Sequence, residues 1–230
     1  NPLRVGSSVD GNLTEYYKQG ALVGSIGTIT GGIYIGDGDT GLEIDGANNA
    51  IYPFNTTTQV ATDGHTDLGD SDKRFKDLYL SGGVYLGGTG AANKLDDYEE
   101  GTWTATLFDA NSGGNASSTT ATGYYTKTGR IVNCMVSSFT NVSTAGMSGF
   151  LRMSLPFTPS SGGFYSTGTA SMSAGTFPAN TYMLTVAVYH GEARAYLQAQ
   201  GTNGFSSIGT TNIASGTTDL SQMAFSYIAA

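Results

Sequence analysis

The sequence predicts an all-β protein: a glycine-rich, intertwined trimeric β stem followed by an antiparallel, jelly-roll-like β-sandwich. Three observations predict it. Thirty-four of the 230 residues are glycine, and glycine with abundant Ser, Thr and Asn suits short strands and tight turns rather than helices. Only 12% of residues are charged, about half the usual globular share, which leaves weakly polar surface for sister chains to cover. The charge is also uneven: residues 1–100 hold fifteen carboxylates and six basic residues (−9), residues 101–230 three and four (+1). The change falls in the connector Lys94-Leu95-Asp96-Asp97-Tyr98-Glu99-Glu100, which divides the chain into a stem, 1–97, and a second domain, 98–230.

In the first region apolar runs are punctuated by glycine: Leu22-Val23-Gly24, Gly31 to Gly36, Leu42 to Gly46, and Leu78 to Leu80. The phrase Gly31-Gly32-Ile33-Tyr34-Ile35-Gly36 returns as Gly82-Gly83-Val84-Tyr85-Leu86-Gly87. Runs of three to five residues cannot bury a face alone; three chains wound about one axis would supply neighbours and hide the strand edges. The one helix expected here is Asn12 to Gln19, with Asn12 as N-cap and Gly20 as stop. The charged run 70–77 is expected to be a solvated turn.

The second region carries eight longer strand candidates: 102–108, 123–128, 130–139, 150–157, 164–172, 181–190, 193–200 and 223–228. Thr102 to Phe108 alternates, with Trp103, Ala105 and Leu107 on one face. Eight strands at this spacing suit a sandwich. Residues 182–189 leave neither face strongly polar, which suits a core on one side and a subunit contact on the other.

The composition excludes several functions. An acidic chain without a Lys/Arg cluster is repelled by phosphate backbones, so no nucleic-acid partner is expected. No apolar run reaches the length of a membrane span, and no signal-peptide pattern is present. The chain opens at Asn1 without a Met, which suggests processing or a longer protein upstream. Cys134, the single cysteine, sits in an apolar run and reads as a buried small hydrophobe.

Two longer phrases resemble a known family. Asp67-Leu68-Gly69-Asp70-Ser71-Asp72-Lys73-Arg74-Phe75-Lys76-Asp77-Leu78-Tyr79-Leu80-Ser81 is similar to a phrase near the end of the trimeric stem in phage tail fibres and tail spikes. Tyr98-Glu99-Glu100-Gly101-Thr102-Trp103-Thr104-Ala105-Thr106-Leu107 resembles the opening of a C-terminal module of phage and environmental viral proteins, with Ala105 in place of the usual proline. Gly123 to Val132 and Leu155-Pro156-Phe157-Thr158 resemble later parts of that module. The resemblance implies a homotrimeric virion appendage, extracellular, joined to other appendage proteins upstream and touching a host-surface receptor with its last domain. A self-cleaving chaperone domain often follows the first phrase in the family; a sandwich is expected here instead, so no autoproteolysis is implied. Tail and capsid placement both remain open.

No cofactor and no enzymatic activity are expected. Histidine occurs twice, and no phosphate-binding loop, dinucleotide fingerprint, zinc-protease pair or Gly-x-Ser-x-Gly elbow is present. Asp37-Gly38-Asp39-Thr40-Gly41-Leu42-Glu43 suits either a cation loop or a turn in solvent, as do the scattered Asp63, His65, Asp67, Asp70 and Asp72. The alternative function is a glycan-degrading spike, which needs a carboxylate pair at a groove; residues 101–230 offer only Asp109, Glu192 and Asp219, widely separated. The candidates for receptor contact, with a glycan as the expected ligand, are Tyr189, His190, Glu192 and Arg194 around a hairpin, with Tyr165 and Asn203 on further loops. The competing reading is a solvated hairpin tip, or a Glu192–Arg194 pair between subunits.

Overall fold

In a computed structural model, which describes residues 5–111, 115–163 and 166–230, the protein is all-β. The chain divides into two units, Asn1–Tyr79 and Leu80–Ala230.

The first unit is a six-stranded antiparallel meander: β1 (Gly11–Lys18), β2 (Ala21–Ile29), β3 (Gly32–Asp37), β4 (Thr40–Asp45), β5 (Ala50–Asn55) and β6 (Val60–Ala61). The expected helix over 12–19 is strand β1 instead. Gln19 and Gly20 take φ values of 53° and 82°, the two left-handed positions of a tight hairpin turn whose twist suits flanking strands. Asn12 does not cap: its amide donates to Glu15 Oε1 at 2.7 Å and its carbonyl accepts from Tyr34 Oη at 2.6 Å. Thr14, Tyr16 and Tyr17 are strand formers, and pairing with β2 overrides a weak helical signal.

The strands are longer than the apolar runs because glycines lie inside them. One face carries the cross-strand rows Gly27–Tyr34–Glu43–Tyr52 and Ser25–Gly36–Gly41–Phe54. Tyr34 and Phe54 are fully buried and stacked, ring centres 4.8 Å apart. The glycines make room for them: a Cβ on Gly27 would stand 2.3 Å from the Tyr34 ring. The other face carries Ile26–Ile35–Leu42–Pro53 and Thr28–Ile33–Ile44–Ile51. Ile26 is half-buried, but the other aliphatic side chains stay open, from 44% exposed at Ile33 to 65% at Ile51.

No residue between 57 and 104 is buried. Leu68, Phe75, Leu78 and Tyr79 are all exposed in the irregular tail of the first unit. In the second unit, Val84–Tyr85 (β7) pairs only with Lys94–Leu95 (β8), across a short 3-10 turn at Ala91–Asn93. The repeated phrase therefore has two outcomes: β3 has a neighbour on each side, whereas β7 has one two-residue partner.

The rest of the second unit comprises β9 (Tyr98–Asp109), β10 (Ala116–Thr128), β11 (Ile131–Val136), β12 (Leu151–Ser154), β13 (Ser166–Ser173), β14 (Thr181–Val188), β15 (Arg194–Gly201), β16 (Gly204–Ser207) and β17 (Asp219–Ile228). Eight of them close into an antiparallel barrel in the order β12-β9-β10-β11-β17-β13-β14-β15, with β15 returning to β12. Each of the eight expected strands is present, but as a closed barrel and not as a two-sheet sandwich. The closing strand is β12: Leu151–Met153 pair with Asp109–Leu107 on one side, and Arg152–Ser154 with Tyr196–Arg194 on the other. β16 pairs with the same edge of β15 as β12 does, over Gln198–Gly201 beyond the closing pairs at 194–196.

Leu107, Val132, Leu151, Met153, Leu184, Val186, Leu197 and Met223 fill the interior, none more than 2% exposed. At one end Tyr227 Oη donates to the Phe157 carbonyl at 2.9 Å, and Tyr125 meets Phe157 edge-on at 5.0 Å. At the other end the segment between β11 and β12 folds inward, burying Phe139 and Val142 beside Ile208 and Ile213. Buried Asp109 fixes two loops there, accepting the amide hydrogens of Asn115 and Ser148, each at 3.1 Å. Register places Tyr98, Thr128, Ile131 and Ile228 together at the Tyr227 end, so the barrel's first strand starts where its last one finishes.

Candidate functional site

A polar part of the barrel wall lies along β15 and its neighbours β12 and β14. Alternation puts Ala195, Leu197 and Ala199 inside and Arg194, Tyr196 and Gln198 outside. On β12 the same rule sends Leu151 and Met153 inward and Arg152 out. Register makes Phe108, Arg152, Tyr196 and Ala187 one continuous outer row.

Three of the sequence candidates converge beside this row. Glu192 Oε2 accepts from Arg194 Nε at 2.9 Å and also from the Tyr196 hydroxyl. Tyr189 meets the Tyr196 ring edge-on at 4.8 Å, and its hydroxyl accepts from Gln198 Nε2 at 2.7 Å. Arg194 and Arg152 stand over the Tyr196 ring, at 5.9 and 5.1 Å from its centre. The Tyr196 hydrogen bond, aided by Arg194, holds the Glu192 carboxyl below the usual range. Burial, then Glu192, pushes the Tyr196 hydroxyl up. Glu192 and Arg194 thus pair within the chain.

Of the remaining candidates, Asn203 does not join them. His190 follows Tyr189 at the strand end, half-buried. Asn203 lies in the β15–β16 turn, at the opposite end of the barrel. Tyr165 lies outside the described residues. Arg152, Tyr196 and Gln198 were not singled out from sequence. A usable signal was there: Arg152 is the one charge in 150–157, set between two residues of an apolar alternation.

A cavity of about 250 Å³ opens near the Tyr227 end, with Ile131, Ser160, Ser166, Val188 and Tyr227 among its lining. Arg130 ties its neighbourhood together, donating to Ser160 Oγ at 2.8 Å and to the Ala229 carbonyl at 3.2 Å. Cys134 is buried, its thiol pushed up to about 12 by desolvation, which leaves it unreactive at neutral pH.

The acidic loops of the first unit do not form a cage. Gly38 and Asp39 are the turn of the β3–β4 hairpin, Glu43 is buried on the Tyr34 face, and His65 Nε2 lies 3.7 Å from Asp39. No group of three or more His, Cys, Asp or Glu is placed to hold a metal among the described residues. The three barrel carboxylates have separate local duties: Asp109 holds loop amides, Asp219 accepts from the Asn141 amide at 2.7 Å, and Glu192 holds Arg194 and Tyr196.

No family model matches the chain, and neither does any curated protein or solved structure.

Proposed function

We propose that the chain is a subunit of a homotrimeric virion fibre, without enzymatic activity, that attaches to a host-surface glycan through its barrel. The observation that carries this reading is the unburied stretch from 57 to 104, together with the open aliphatic face of the meander. A lone chain gains almost nothing from ordering such a segment, because each fixed residue loses about 1–2 kcal/mol of backbone entropy with no burial in return. Copies of the same chain offset that loss by covering Leu68, Phe75, Leu78, Tyr79 and the Ile33–Ile44 face. The phage-fibre phrase at 67–81 falls inside this stretch and the module opening at 98–107 starts the barrel, which supports the stem-and-tip order. The barrel wall offers rings beside arginine and amide groups, a combination suited to sugars. The separate engagement of the three barrel carboxylates favours binding over glycan cleavage.

Light scattering on the purified chain tests the assembly. A mass of three chains that survives brief SDS exposure is expected; a well-behaved monomer would overturn the fibre reading.

A further inference from the structure

We propose that Arg152, with Tyr196 and Phe108 beside it, forms a subsite for the carboxylate of an acidic sugar. The proposal rests on the glycan-attachment reading and narrows its ligand class. An arginine directed away from a core strand usually finds a carboxylate, because its planar fork matches two oxygens at once. Arg152 finds none: among the described residues its Nε is buried without an acceptor, and no carboxylate lies at ion-pair distance. Glu192 feels the Arg152 charge through space, but its hydrogen bonds go to Arg194 and Tyr196. This happens in a chain of net charge −8, where carboxylates are not scarce.

The surroundings hold the guanidinium in place. It lies 5.1 Å from the Tyr196 ring centre, a cation–ring contact that favours this position. Phe108 is its cross-strand neighbour on the other side, half-exposed. The barrel strands β9, β12 and β15 fix all three positions, so little order is lost on binding. A ligand with a carboxylate on a ring that has an apolar C–H face satisfies both features: the acid group meets the guanidinium and the C–H face meets Phe108 or Tyr196. Uronic and sialic acids have that chemistry; neutral hexoses offer only the ring.

The test is a titration of the full-length assembled protein with D-glucuronate, N-acetylneuraminate and D-glucose, followed by ligand-observed NMR and calorimetry. We expect an acidic sugar to bind at least tenfold tighter than glucose, and Arg152→Gln to abolish that difference. Arg152→Lys keeps the charge but not the fork, and is expected to retain a part of it. Near-ultraviolet dichroism from Trp103 checks that each variant keeps the barrel. Equal binding of acidic and neutral sugars, or unchanged preference in Arg152→Gln, would overturn the proposal. So would loss of trimer mass in Arg152→Gln without acidic-sugar binding by the parent, since Arg152 would then serve a subunit contact. A monomer that still prefers glucuronate through Arg152 would instead sink the fibre reading and leave the subsite standing.

Discussion

The meander and the barrel are made from the same material, antiparallel strands joined by tight turns, and they dispose of their aliphatic side chains in opposite ways. The barrel turns Leu107, Val132, Leu184, Val186 and Leu197 inward and closes on them. The meander covers one face with Tyr34 and Phe54 and leaves Ile33, Ile35, Leu42, Ile44 and Ile51 in the open. Alternation sorts residues between two faces, but whether the apolar face finds cover inside its own chain depends on the sheet curling round to meet itself. The six strands of the meander do not close on themselves; the eight of the barrel do.

The largest effect should come from polarising the open face. Ile35→Asp with Ile44→Asp is expected to reduce the solution mass from three chains to one while the barrel's Trp103 signal persists. An unchanged mass would mean that this face is not where copies meet.

A cavity in the barrel should do the reverse. Leu197→Ala is expected to cost about 2–5 kcal/mol of barrel stability, read from urea unfolding, with the assembly mass unchanged.

Glycine beneath an aromatic ring occurs in both regions, so a matched pair of substitutions sharpens the contrast. A Cβ on Gly123 would lie 2.4 Å from the Trp103 ring, much as one on Gly27 would lie 2.3 Å from Tyr34. Valine at either place should cost roughly 1–3 kcal/mol. Gly123→Val should lower the barrel's unfolding midpoint, and Gly27→Val only that of the meander; a shared shift would show the two regions unfolding as one.

The smallest effect separates the regions by the sign of their response to acid. Burial, then nearby Asp45, raises the Glu43 carboxyl in the meander. The folded sheet therefore holds that proton more tightly than the unfolded chain, and stability from Glu43 grows as pH falls through the folded value. Glu192 in the barrel is held low, so its contribution is present above the unfolded carboxylate value and fades as pH falls through the folded one. With over a third of its side chain exposed, solvent screens much of that contribution. Glu43→Gln should stabilise the meander slightly near neutral pH and flatten its acid dependence. Glu192→Gln should flatten the barrel's loss towards pH 3. The comparison of each variant with its parent isolates Glu43 from Asp45, whose carboxyl Asn48 holds low.

Much of this architecture was legible before the fold was known. The eight barrel strands follow from alternation and turn residues, because both are local properties. Barrel closure is not local: β12 pairs with β9 and β15, each some forty residues away, and four residues cannot advertise two partners. The misread 12–19 segment has the same cause, since capping signals are read one residue at a time whereas β1 exists because β2 lies beside it. Glycine was read as the end of a strand, although at Gly27, Gly36 and Gly41 it is the interior of one, vacated for a ring or a close backbone. Of the site, Tyr189, Glu192 and Arg194 were visible as a polar hairpin. Arg152 was not, because its meaning lies in a cross-strand neighbour at position 196.

The barrel's two ends differ in how much change they can absorb. Tyr98 and Ile228 share one end, where Lys127 meets Asp97 and Arg130 grips the Ala229 carbonyl. That end is committed to holding the chain, and a residue added there disturbs the attachment itself. The connections at the far end, including the Thr202-Asn203 turn and the segment from 137 to 150, touch neither terminus of the barrel. A change in the turn at 202–203 bears on the β15–β16 ladder, which lies outside the eight-strand order of the barrel. The Tyr227 end thus gathers the start of the barrel's first strand and the finish of its last, while the far end combines buried Phe139 and Val142 with an exposed turn at 202–203.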